Sequence, residues 1–275
     1  MEMRQKAYVY AVTGPSEFID EFHRSYDHLH SYTQLPIYVV TNISRNEKTI
    51  NKGQIIDVTV DEKLSNKEAA IYLKTNLPKL LPWPKGQIYC YLDSDVFAIK
   101  KSADSVFHHF SSPVSFALDH CTIDRFSPWA MKCGCRDESL LQRYSRKLLG
   151  QRTQCQHLRQ ALSRLFQIEI PQEWHHWNGG LFLFSEDSKD FFHSWWHCVQ
   201  LCFADESFES RDQAALIAAV WLCRLQNKAP LPEIFNKIIF SDDKYFPDDS
   251  VFLHLLGKSS SPQSPIMQRL TESLP

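Results

Sequence analysis

No stretch of the chain approaches the ~20 consecutive apolar residues that a membrane-spanning helix requires. No signal-type apolar segment follows the opening MEMRQK, which runs straight into a short apolar strand. Net charge is nearly absent, -2 over 275 residues, so no overall attraction to nucleic acid is expected. Glycine is scarce, at eight, and the few present are expected where backbone geometry demands them. Cations are missing from the turn after the first strand, Thr13-Gly14-Pro15-Ser16-Glu17. The eight cysteines are scattered. Without an export segment they are expected to be reduced, and a cytoplasmic location is expected with them.

Aromatic residues are plentiful by contrast, with 18 Phe, 10 Tyr and 7 Trp, and most must be core. The stretch that organises the chain is Gln87 to Lys100, QIYCYLDSDVFAIK. Ile88 to Leu92 reads as a fully buried strand. It stops on Asp93 and Asp95, with only Ser94 between them. Two carboxylates at the end of a buried strand are costly to desolvate unless a cation sits between them. Carboxyl ends of strands in open α/β sheets are also where ligands bind. The economical reading is a divalent metal holding a phosphorylated ligand; the plain alternative is a solvated turn.

Around this stretch the chain alternates strand and helix. Ala7–Val12 reads as a strand, followed by a helix N-capped by Ser16 and running to His30, with Phe18, Ile19, Phe22 and Tyr26 on one face. Strands are expected over Ile37–Val40 and Ile55–Val60. Ser65 and Glu68 form a capping-box pattern for the helix that carries Lys67 and Lys74. A strand over Val114–Leu118 ends in Asp119. This order predicts an α/β fold with a mostly parallel central sheet flanked by helices. Residues 120–172 break the rhythm: an irregular loop to Asp137, then a helical, basic insertion. Between Leu140 and Leu165 it has no acid, and it carries Arg143, Arg146, Lys147, Arg152, Arg159 and Arg164. A solvated helical hairpin is the plain reading of 141–165, and peripheral contact with a membrane surface or anionic acceptor the sharper one. Cys121, Cys133, Cys135, Cys155 and His157 raise the question of zinc, but Cys-x-Cys lacks the usual two-residue spacer.

Farther on, Asn178-Gly179-Gly180 precedes an expected strand Leu181–Phe184, where glycines let a ligand approach the backbone. A helix with an aromatic stripe spans Asp187–Phe203. Arg211-Asp212-Gln213 opens the next, to Leu225, where Asp212 could be simply a first-turn acid. Late strands at Ile238–Phe240 and Val251–Leu253 lead to His254 and Leu255-Leu256-Gly257-Lys258. The Ser/Pro-rich tail 259–275 is expected to be flexible.

Asp93-Ser94-Asp95, Asn178-Gly179-Gly180, Asp212-Gln213 and His254-x-x-Gly257-Lys258, in this order, resemble the retaining, metal-dependent glycosyltransferases of the GT-A fold. That group, of the nucleotide-diphospho-sugar transferase superfamily, contains glycogenin and the lipopolysaccharide galactosyltransferases. The resemblance covers about residues 7–258, a single transferase domain. It implies Asp93, Asp95 and His254 as ligands of Mn²⁺ or Mg²⁺, with Ser94 between them. Tyr10 to Thr13 would face the nucleotide base, and Lys74, Gly257 and Lys258 the diphosphate. Asn178, Gly179 and Gly180 would line the sugar and acceptor side, and Asp212 and Gln213 the anomeric carbon. The implied activity is transfer of a sugar from a nucleotide-diphosphate donor, UDP first, to a hydroxyl on a glycan, lipid-linked or protein acceptor, with retention. The family's third mark has a second acid where this chain has Ala214, and Ser259-Ser260 stand where Pro-Trp is common. Two other readings compete. A sugar-1-phosphate nucleotidyltransferase would want the basic Gly-rich loop missing after the first strand. A catalytically degenerate binding or scaffold module would need no acid cluster.

Overall fold

The computed structural model describes residues 5–136, 155–209, 211–240 and 247–272, with backbone alone at 211 and 258. In chain order the regular elements are β1 (Lys6–Ala11), α1 (Ser16–His30), β2 (Ile37–Thr41), β3 (Gln54–Asp57), α2 (Asn66–Thr75), α3 (Leu77–Leu80), β4 (Ile88–Leu92), β5 (Val96–Ala98), β6 (Val114–Thr122), α4 (Ile123–Ala130), α5 (His157–Phe166), β7 (His175–Ser185), α6 (Lys189–Ala204), α7 (Arg211–Leu222), β8 (Lys237–Ile239), β9 (Phe252–Leu255) and α8 (Pro265–Glu272). They fall into two compact units.

The first unit comprises Met1–Ala117, Gly179–Phe192 and Ala229–Pro275. Its six-stranded sheet has the order β3-β2-β1-β4-β7-β6. Strands β3, β2, β1 and β4 run parallel, as helical crossovers between apolar strands require, and β7 pairs antiparallel with β4. Period-two alternation divides the layers. Tyr8, Tyr10, Cys90, Leu92, Leu181 and Leu183 face one core, with Ile19, Phe22 and Leu29 of α1. On the other face Tyr91 stacks on Phe182 at 4.7 Å, and Phe182 on Phe116 at 4.7 Å. A second sheet, β5-β9-β8, lies at the end of β4.

Several local expectations change. Helix α1 begins at Ser16 itself, so Ser16 is not its N-cap, and no side chain caps it. Its amide is instead bound by Glu47 Oε2 at 2.9 Å. Phe18 lies off the buried face, 46% exposed. The Ser65–Glu68 capping box is present in both directions. Strand β7 starts at His175 and runs through Asn178-Gly179-Gly180, which are extended backbone and not a turn. The Ser/Pro-rich tail is not frayed through its length. Helix α8 buries Ile266, Met267 and Leu270 against Phe97, Leu253 and Leu255. Three apolar residues at helical spacing outweighed the polar composition.

The second unit comprises Leu118–Asn178 and His193–Lys228. The expected loop after Asp119 is instead the end of β6 followed by α4. Helix α4 is tied to α5: Arg159 binds Asp124 through Nε and through Nη2 at 3.1 Å, and Ser127 Oγ accepts from Leu158 N at 3.0 Å. Of the basic stretch 141–165, residues 141–154 lie outside the described residues. Within the rest, Arg159 pairs with Asp124 and Arg164 with Asp205. The acids missing from the local sequence come from distant positions, so these two arginines do not form an unpaired basic face. No helix among the described residues is long and apolar enough to cross a membrane.

Candidate active site

The acidic pair is placed by two strands. Asp93 follows β4, where its amide donates to Gly180 O at 2.8 Å. Asp95 immediately precedes β5, which pairs antiparallel with β9 so that Val96 stands opposite His254. This register, with Leu255 N donating to Asp95 O at 2.9 Å, brings His254 to the pair from 159 positions away. One donor atom each from Asp93, Asp95 and His254 lies within 4.8 Å of the others. His254 Nε2 is 3.3 Å from Asp95 Oδ1, and His254 is buried.

Lys74, almost fully buried on α2, places Nζ 3.1 Å from both oxygens of Asp93 and 5.1 Å from the centre of the Tyr91 ring. Tyr91 donates its hydroxyl to the same carboxylate. Burial raises the Asp93 pKa, repulsion from Asp95 adds to it, and Lys74 opposes the rise. For His254 burial opposes the charged ring, but Asp95 beside it wins and the pKa is raised.

Asp95 Oδ1 is buried with the His254 ring beside it at 3.3 Å, and His254 Nδ1 is buried without a hydrogen-bond partner. Buried polar atoms are seldom left so. Two carboxylates and an imidazole fit a hard divalent cation, with the nitrogen favouring Mn²⁺ over Mg²⁺. The residues therefore fit a metal, and Lys74 already neutralises one of the three donors.

The neighbouring positions serve the frame. Ser94 Oγ donates to Glu21 Oε2 at 3.0 Å. Thr13 donates to Asn42 O and Asn46 Oδ1, both at 3.1 Å, and Gly14 turns the chain at φ +100°. Tyr10 is fully buried against Ser25, which makes it core and not a base-facing residue. Gly257 leaves β9 at φ +62°. Ser259, at the departure from the family pattern, is buried and donates to Ile239 O at 3.1 Å. The side chain of Lys258 lies outside the described residues.

In the second unit Asn178 donates Nδ2 to Asp119 Oδ2 at 3.0 Å. Asp119 also meets His120 Nδ1 at 2.8 Å and His176 Nε2 at 3.7 Å. Burial works against the Asp119 charge, but His176, His120 and Asn178 outweigh it and hold the carboxyl well below its usual range. Burial is the larger effect on His176, whose pKa is lowered despite Asp119. The Gln213 amide nitrogen stands 3.0 Å from His176 Nδ1 and donates to Trp177 O. The structure thus joins Asn178 and Gln213 through Asp119 and His176. Asp212 sits in the first turn of α7, its carbonyl accepting from Trp195 Nε1 at 3.2 Å, and Ala214 is fully buried. Asp119 was legible in the sequence as an acid ending a strand, and His176 carried no signal of its own.

No family model matches the chain, and no curated protein sequence matches it. Solved structures do. The glycosyltransferase GlyE of Streptococcus pneumoniae TIGR4, in its apo form, aligns with a TM-score of 0.55 at 13% identity, over 98% of this chain and 60% of that one. The galactosyltransferase LgtC, solved with donor and acceptor sugar analogues, gives 0.53 at 12% identity, over 98% and 95%. Mouse xyloside xylosyltransferase 1 gives 0.51 at 11%, over 92% and 97%. At these identities the likeness is one of fold. The chain has the GT-A glycosyltransferase fold, as its motifs implied, and spans about three fifths of the length of GlyE.

Proposed function

We propose that the protein is a metal-dependent glycosyltransferase that moves a sugar from a nucleotide-diphosphate donor, UDP first among candidates, to an acceptor hydroxyl with retention of anomeric configuration. The observation that carries this reading is the convergence of Asp93, Asp95 and His254, with His254 Nδ1 buried and lacking a hydrogen-bond partner, at the strand ends of a GT-A sheet. Those three residues would hold Mn²⁺ or Mg²⁺, which when bound supplies Lewis acidity toward the departing diphosphate.

The chain's own residues do the rest. Lys74 opposes the rise that burial imposes on the Asp93 pKa and adds positive charge near the diphosphate, a task shared in this reading with Lys258. The side-chain amides of Asn178 and Gln213 are fixed by Asp119, His176 and Trp177 O. Immobilised amides of this kind orient sugar hydroxyls without loss of side-chain entropy on binding. Asp212 would stabilise positive charge on the sugar. In a retaining transfer the acceptor hydroxyl attacks on the leaving-group face, so a diphosphate oxygen can take its proton and no strong protein base is required. Glycan, lipid-linked and protein acceptors all satisfy this chemistry, and the cytoplasm or the inner face of a membrane is the setting the sequence suggests.

One observation favours a second reading. Asp93 is paired with Lys74, so the acidic cluster could persist in a binding or scaffold module without a metal. Assays with UDP-sugars, Mn²⁺ and an acceptor panel separate the two. An enzyme releases UDP, forms an α-linked product from an α-linked donor, and loses turnover in Asp93→Asn. A scaffold shows no turnover in wild type while keeping its partner in that variant.

A further inference from the structure

The second unit holds four donors that the proposed reaction does not use. Cys133 and Cys135 lie just beyond α4, while Cys155 and His157 lie at the start of α5. One donor atom from each lies within 4.8 Å of all the others. Cys133 Sγ is 3.6 Å from Cys155 Sγ, and His157 Nδ1 is 3.0 Å from Cys155 Sγ and 3.7 Å from Cys135 Sγ. A disulfide would bring two sulfurs to ~2.05 Å. Two thiolates on a tetrahedral zinc, at ~2.3 Å each, stand about 3.8 Å apart. The observed sulfur separation is that of ligands on one ion and not of a bond.

We propose that Cys133, Cys135, Cys155 and His157 bind a structural Zn²⁺ ion, separate from the hard-cation site of Asp93, Asp95 and His254. Three soft thiolates and an imidazole select zinc over Mg²⁺ or Mn²⁺. Four protein donors close the tetrahedron and leave no open position, which makes the site structural and not catalytic. The surroundings are already arranged for it. Ser127 on α4 donates to Cys155 Sγ at 3.1 Å, and Cys155 N donates to Asp124 O at 3.0 Å. Zinc would thus clamp the end of α4 to the start of α5 and close the chain between Cys135 and Cys155. Binding replaces the thiol protons, releasing up to three, and stabilises only the folded state. Cys121 is not a member: its sulfur stands 3.3 Å from Asp119 Oδ1 and 4.0 Å from His176 Nε2.

The test is metal content by atomic emission on full-length protein, purified without a metal-affinity step and dialysed. The wild type should retain one zinc per chain. Cys135→Ser and Cys155→Ser should lose it, while Cys223→Ser and Asp95→Asn keep it. Because the cysteine variants could fail to fold, the wild type is also exchanged into Co²⁺. Intense visible bands with thiolate-to-metal charge transfer are expected, and a zinc chelator should lower the thermal midpoint. A zinc-free wild type, a weak octahedral cobalt spectrum, a Cys133–Cys155 disulfide in protein alkylated without reductant, or zinc retained in both cysteine variants would each overturn the proposal.

Discussion

Lys74, its side chain almost fully buried, sets its ammonium 3.1 Å from both oxygens of the partly exposed Asp93. Lys74→Met removes the cation and leaves a carboxylate that is still about one third exposed (31%). The expected loss of stability is about 1–3 kcal/mol, below that of a fully buried pair because water reaches Asp93. Urea unfolding reads it. The same variant should bind Mn²⁺ several-fold more tightly in the absence of nucleotide, since nothing competes for Asp93; weaker binding would show that Lys74 assists the metal and does not rival it. His176 gives a pH prediction. Its folded pKa lies below the ordinary value, so the unfolded chain takes up a proton that the folded one resists. Its stabilising contribution is complete above about pH 6.5 and is lost as pH falls below that value. Asp119, also depressed, loses its contribution only at lower pH, beneath the usual carboxylate range near ~4. His176→Gln should therefore remove the fall in stability that begins as pH drops below about 6.5 and, since His176 also helps hold Asp119 ionised, move the deeper acid transition to higher pH. At this scale Asp93-x-Asp95 was legible because two acids interrupt an apolar strand. His176 was not, because it gains meaning only from partners that the fold delivers from elsewhere; Cys155 and His157 raised the question of zinc in sequence, but only the fold brings them together with Cys133 and Cys135.

Helix α8 and the strand pair β5–β9 form one mechanical element. Ile266, Met267 and Leu270 pack against Phe97, Leu253 and Leu255, so the tail supports the strands that carry Asp95 and His254. Leu270→Ala should cost about 2–4 kcal/mol and speed amide exchange in β5 and β9 before the rest of the sheet. Unchanged exchange there would detach the tail from the site. Element prediction succeeded where local chemistry and tertiary packing agree, as in the Ser65–Glu68 box or the apolar run Ile88–Leu92. It failed where they compete. Pro128 lies inside α4, and Gly179-Gly180 lie inside β7. Both look like breaks in sequence, and both are held by neighbours: Met131 N bonds Ser127 O at 3.1 Å, and Asp93 N bonds Gly180 O at 2.8 Å.

At the scale of the molecule, strand and helix alternation predicted a mostly parallel α/β sheet, and the sheet order β3-β2-β1-β4-β7-β6 agrees. The antiparallel pairing of β7 could not be read, because strand polarity depends on a crossover longer than any sequence window. The fold is shared with glycosyltransferases of 11–13% identity, so function must be argued from the site and not from the scaffold. The most direct test of that argument is calorimetric titration of UDP into the purified protein, with and without Mn²⁺, beside GDP. The account predicts UDP binding that requires Mn²⁺ and disappears in Asp95→Asn, with little heat from GDP. Absence of binding by either nucleotide in the presence of Mn²⁺, or UDP binding that survives Asp95→Asn, would contradict it.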